Sequence, residues 1–130
     1  MEAHIDSTTY LEQGKQALAQ GNGREAAIAY AHGAQLEPEN PLVHLGLAEA
    51  NLALGSHDVV LMACRTTQDL APESPMDHLA QTLLDLLDQH YESALQQIDT
   101  ALKDDPGNAY AHALRASLLR ATNHPPLLSS

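Results

Sequence analysis

Eight histidines, one cysteine and seventeen carboxylates are the side chains of this 130-residue chain best suited to chemistry. His44, His78 and His112 recur at one constant interval, so they share one position of a repeat. Stacked helices lie about 8–10 Å apart, whereas each imidazole on a zinc ion must approach it to about 2.1 Å. The three therefore read as structural histidines, half-buried between helices, and no metal is expected. Cys64 has His57 two helical turns before it, which puts no base beside the thiol. It reads as a small buried apolar residue. Asp85 is the one carboxylate whose repeat position implies burial, and a buried carboxylate needs a partner. Arg115 on a neighbouring helix is the expected one. Paired acids for hydrolysis, glycine-rich phosphate loops and CxxC pairs are absent from the sequence. No catalytic residue and no cofactor are expected.

The elements that carry these residues follow from the prolines. Pro38, Pro72 and Pro106 recur at the same interval, in Glu37-Pro38-Glu39-Asn40, Ala71-Pro72-Glu73-Ser74 and Asp105-Pro106-Gly107-Asn108. Asn40, Ser74 and Asn108 suit the position just before a helix, where a side-chain oxygen accepts from free amides. Pro41 and Pro75 follow directly, at a first helical position where a missing N–H costs nothing. Asp6, one interval before Asn40, caps the first helix on the same reading. The expected helices are 7–20, 24–37, 41–54, 57–70, 75–88, 91–104 and 109–121. They are preceded by a lead-in at 1–6 and followed by an irregular tail at 122–130. Apolar residues make up 44% of the chain and aromatics 3%, with no Trp or Phe, so Leu and Ala must fill the core. Both are strong helix formers.

This spacing resembles the tetratricopeptide repeat, a helix–turn–helix unit of about 34 residues with the pattern W-x2-L-G-x2-Y, A-x3-F and P. The first unit supplies Tyr10, Gln13, Gly14 and Ala17, then Ala26 and Tyr30, then Pro38. The second supplies His44, Leu47, Ala48 and Asn51, then Val60 and Cys64, then Pro72. The third supplies His78, Gln81, Thr82 and Asp85, then Ala94 and Ile98, then Pro106. The last helix repeats the front half with His112, Arg115, Ala116 and Leu119. The resemblance implies an all-α solenoid of antiparallel helix pairs, a right-handed superhelix of seven helices. Its repeats are 7–40, 41–74 and 75–108, closed by a capping helix at 109–121. The third repeat departs from the pattern, since Gln81, Thr82 and Asp85 stand at interior positions. Either that helix is rotated or its apolar side faces the inner curve.

In this family the first helix of each repeat lines a concave groove, the usual ligand site. The resemblance places Thr8, Leu11, Lys15 and Leu18 there, with Leu42, Leu45, Glu49 and Leu52 from the second repeat. Met76, Leu79, Leu83 and Leu86 follow from the third, and Tyr110, Ala113, Ser117 and Arg120 from the last helix. Some members clamp the C-terminal carboxylate of chaperone tails with lysines, asparagines and an arginine. Leu11, Lys15, Gly46, Met76 and Ala80 stand at those places, so no such clamp is expected. The implied function is an adaptor or scaffold that binds an apolar or amphipathic helix or extended peptide. The alternatives are a chaperone that shields an apolar client segment and the targeting segment of a larger multidomain enzyme.

Charge narrows the partner. The net charge is −11, and from Arg65 to Lys103 there are seven acids and no other cation. Such a surface repels nucleic acid and anionic membranes; it reads either as a solvated, solubilising face or as one that attracts a partner with basic flanks, near Glu49 and Asp77. No apolar stretch approaches the roughly 20 residues that span a bilayer, and the first residues carry no signal-peptide pattern. A lone cysteine forms no internal disulfide, which fits the cytoplasm. Leu114, Leu118 and Leu119 on a helix without a following partner lead to an expected homodimer.

Overall fold

A computed structural model describes residues 7–123, with the side chains of Tyr110, Ser117 and 120–123 left aside. Seven helices follow one another: α1 Ser7–Ala19, α2 Gly23–Leu36, α3 Pro41–Leu54, α4 His57–Leu70, α5 Pro75–Leu87, α6 Tyr91–Asp104 and α7 Ala109–Asn123. No strand occurs among the described residues. The expected bounds hold to within two residues, the ordinary uncertainty of frayed helix ends. The largest difference is α7, which runs to Asn123. The expected lead-in at 1–6 and the tail from 124 lie outside the described residues.

Short turns between long packed helices force consecutive helices to run antiparallel. The turns repeat in hydrogen-bonding detail. Asn22, Ser56 and His90 each donate a backbone N–H to the carbonyl five residues back, on Ala17, Asn51 and Asp85, at 2.8, 2.9 and 2.7 Å. That bond closes a helix C-terminus when the residue before the donor is left-handed. Gly21, Gly55 and Gln89 fill that place with φ 76°, 79° and 63°. Two glycines take the left-handed backbone freely, while Gln89 carries a side chain into it.

Helix starts repeat as well. Asn40 Oδ1 accepts from the Leu42 amide at 3.0 Å, Ser74 Oγ from Asp77 at 3.2 Å and Asn108 Oδ1 from Ala111 at 3.1 Å. His44 and His112 place Nε2 2.8 and 2.7 Å from the Pro38 and Pro106 carbonyls. A carbonyl only accepts, so Nε2 carries the proton in both rings. Each of these two imidazoles thus ties its helix to the turn before it. His78 differs, with Nδ1 3.1 Å from Gln97 Oε1.

The core has two parts. Tyr30, Ala17, Ala26 and Ala50 form a small cluster at the first repeat junction. A larger cluster runs from Leu45 through Val60, Cys64, Leu79, Leu83 and Ile98 to Ala111, Leu114 and Leu118. The Tyr30 ring lies between two glycines. A methyl on Gly14 would sit 2.5 Å from Tyr30 Cζ, and one on Gly46 would overlap the ring further. Both helices, α1 and α3, are therefore notched by glycine where the ring passes.

Candidate functional site

The groove expected from the sequence is built from α1, α3 and α5, the first helices of the three pairs. Of the ten residues expected to meet a partner there, Lys15 and Leu42 are exposed, while Leu11, Leu18, Glu49, Met76 and Leu86 are half-buried. Leu45, Leu79 and Leu83 are different. They are 3%, 1% and 0% exposed and belong to the large core cluster. The expectation that these three present themselves to a partner is corrected by their burial. The reason is packing, since α5 stacks on both α3 and α4 and covers their side chains. Leu52, also placed at the groove, is half-buried, and Thr8 is exposed. Of the last helix, Ala113 is exposed; the side chains of Tyr110, Ser117 and Arg120 are outside the description.

The third repeat resolves its own anomaly. Neither expected alternative describes α5, because it is buried on its polar and apolar sides together. Thr82 Oγ1 donates to the His78 carbonyl at 2.9 Å. Gln81 Nε2 donates to Asp85 Oδ1 at 3.2 Å, and Ser93 Oγ donates to Asp85 Oδ2 at 2.8 Å. Gln68 Nε2 on α4 donates to Gln81 Oε1 at 3.2 Å. Asp85 is 7% exposed, and two side-chain donors stand where water would. The expected pair with Arg115 does not form. Arg115 Nε instead meets Asp99 Oδ1 on α6 at 2.8 Å, an exposed contact of small energetic weight.

Other candidate chemistry falls within the packing. Cys64 is fully buried, and burial pushes its thiol up to about 12, so it stays protonated and unreactive at neutral pH. Burial raises the Tyr30 phenol further, with Glu49 and Glu12 adding to the effect. Among the described residues no group of three His, Cys, Asp or Glu side chains can hold a metal ion, and no helix is long and apolar enough to cross a membrane. Of Leu114, Leu118 and Leu119, which motivated a homodimer, the first two are buried within the chain and Leu119 is half-buried.

Two surface features escaped the sequence reading. Ile28 on α2 and Val59, Leu61 and Met62 on α4 are exposed on the second helices of their pairs, away from the expected groove. Only the stacking reveals which side of α2 and α4 the neighbouring helices leave open. An open cleft of about 490 Å³ lies between α1 and α2, lined by Tyr10, Gln13, Gln16, Gln20, Ile28 and His32 among others.

The tetratricopeptide repeat family model matches residues 11–75, half of the chain. No curated relative matches. Among solved structures, the first repeat domain of human RPAP3 is 22% identical, with 89% of this chain and 91% of that one covered and a TM-score of 0.63. The first such domain of Spaghetti (RPAP3), bound to the HSP90 peptide SRMEEVD, is 21% identical over 91% of this chain and 98% of that one, with a TM-score of 0.63. The TPR2B domain of yeast Sti1, in complex with pHsp70, is 18% identical over 92% and 98%, also at 0.63. At these identities the likeness concerns the fold. With seven antiparallel helices, phased turns and a matching family model, the chain belongs to the tetratricopeptide repeat family.

Proposed function

We propose that the chain is a non-catalytic, cytoplasmic adaptor or scaffold whose inner groove binds an apolar or amphipathic segment of another protein. The observation that carries this reading is the half-buried row of Leu11, Leu18, Leu52, Met76 and Leu86 on α1, α3 and α5, with Leu42 exposed beside it. Apolar side chains left partly open on three successive stacked helices mark an interaction surface. The structural neighbours bound to an HSP90 peptide and in complex with pHsp70 support the choice of a protein partner.

The partner proposed for this chain differs from those acidic peptides. Of the five places where some family members grip a terminal carboxylate, Gly46 and Ala80 are buried, Leu11 and Met76 are apolar, and Lys15 is the single cation. A net charge of −11 further opposes an EEVD-like tail. The core leucines Leu45, Leu79 and Leu83 hold the groove's shape, and the half-buried row makes the contact.

The test is affinity capture from source lysate with the wild-type chain and a Leu42→Glu/Met76→Glu variant, alongside thermal unfolding. The variant should keep its helical circular dichroism and lose the captured protein. Capture of the same protein at the same yield by a folded variant would move the contact off this face, to the outer helices that carry Ile28 and Met62.

A further inference from the structure

The three turns that join one helix pair to the next all lie at one edge of the solenoid. Antiparallel succession puts the starts of α3, α5 and α7 there, with the ends of α2, α4 and α6. Residues 36–42, 70–77 and 103–109 carry six carboxylates, Glu37, Glu39, Glu73, Asp77, Asp104 and Asp105, against one cation, Lys103. The opposite edge, at 19–25, 53–58 and 87–92, has four carboxylates and Arg24.

Local structure accounts for two of the six. Asp77 Oδ2 accepts from the Glu73 amide at 2.7 Å, and Glu37 Oε1 accepts from Asn40 Nδ2 at 3.2 Å. Glu39, Glu73, Asp104 and Asp105 are exposed, and none of the four meets a cation among the described residues. Asp104 and Asp105 stand at the end of α6, where the helix dipole opposes negative charge. Helix stability therefore does not explain them. Leu36, Leu42 and Leu70 are exposed along the same edge, and an open hollow of about 440 Å³ lies along Leu36–Asn40.

We infer that this edge receives the basic residues of a cationic amphipathic segment from a partner protein, whose apolar side chains reach Leu36, Leu42 and Leu70 and continue into the groove. Charge complementarity selects this occupant. A second copy of the chain would bring another −11, and an acidic peptide would meet the same repulsion. The inference rests on the groove reading for its apolar contacts, and adds to it the sign and place of the partner's charge.

The experiment uses two fluorescent helical peptides of equal length, one of Leu and Lys and one with the same Leu pattern and Glu. They are titrated against the wild-type chain and a Glu39→Lys/Glu73→Lys/Asp104→Lys variant. The Leu/Lys peptide should bind the wild type, and its affinity should fall as added salt shortens the screening length from about 30 Å at low ionic strength to about 3 Å. Three exposed charge reversals should weaken it by about tenfold or more, while the Leu/Glu peptide should gain. Equal affinity for both peptides, with no effect of the variant, would overturn the inference and leave the apolar groove standing. No binding of either peptide would overturn both. Should the variant unfold, the salt titration and peptide comparison on the wild type decide alone.

Discussion

At the first repeat junction the ring of Tyr30 fills a slot between Gly14 and Gly46. In the third repeat, α5 meets its neighbours through Gln81, Thr82 and Asp85, each hydrogen-bonded. The repeat positions correspond. Tyr30 is followed one and two repeats on by Cys64 and Ile98, and Gly14 by Ala48 and Thr82. Gly46 is followed by Ala80 and Leu114. Where the inserted side chain is largest, both positions opposite it are glycine; where it shrinks to Cys64, they are alanine. Volume is thus traded between facing positions at the first two junctions, while the third combines the larger Ile98 with Thr82 and Leu114. A junction can be a ring in a notch or a buried carboxylate with donors, and the helices still stack.

The largest loss should come from Tyr30→Ala. Removing a buried ring leaves a cavity and should cost about 3–5 kcal/mol, read as a large fall in the denaturation midpoint by chemical unfolding. Gly46→Ala should cost about 1–3 kcal/mol through overlap with the same ring. Combined with Tyr30→Leu, it should cost less than the sum of the two single changes, and strict additivity in the double-mutant cycle would show that ring and notch are independent. At the polar junction, Ser93→Ala should cost about 1–2 kcal/mol, because Asp85 loses its shorter hydrogen bond while remaining buried. A midpoint unchanged by Ser93→Ala would mean that water replaces the hydroxyl. The smallest effect is a gain. Gln89→Gly should stabilise by about 0.5–1 kcal/mol, since φ 63° suits glycine as it does at Gly21 and Gly55.

Much of the architecture was legible in the sequence. Prolines and caps at a constant spacing fix where helices start, because Pro41 and Pro75 tolerate only a first helical turn. The phase of those starts then fixes the pairing. What stayed open depends on the third dimension. Leu79 and Leu83 belong to the same stripe as Leu86, yet two are core and one is half-buried, and a helical period does not tell an inner curve from a helix contact. Asp85 and Arg115 lie on elements close in the chain, but Ser93 and Gln81 reach the carboxylate and Asp99 takes the arginine. The Tyr30 slot was half visible, as Gly14 belongs to the repeat pattern, whereas Gly46 is explained only by the ring that passes it.

A partner seated on the inner face of α1, α3 and α5 should leave its mark on the residues of that face and not on the outer residues of α2 and α4 such as Ile28 and Met62. Backbone amide NMR of the isotopically labelled chain, titrated with the captured partner's binding segment, reads this residue by residue. Shifts concentrated at Leu11, Lys15, Leu18, Leu42, Glu49, Leu52, Met76 and Leu86, with Ile28 and Met62 unmoved, are the predicted result. Shifts concentrated at Ile28, Val59, Leu61 and Met62, with the α1, α3 and α5 row unmoved, would contradict it.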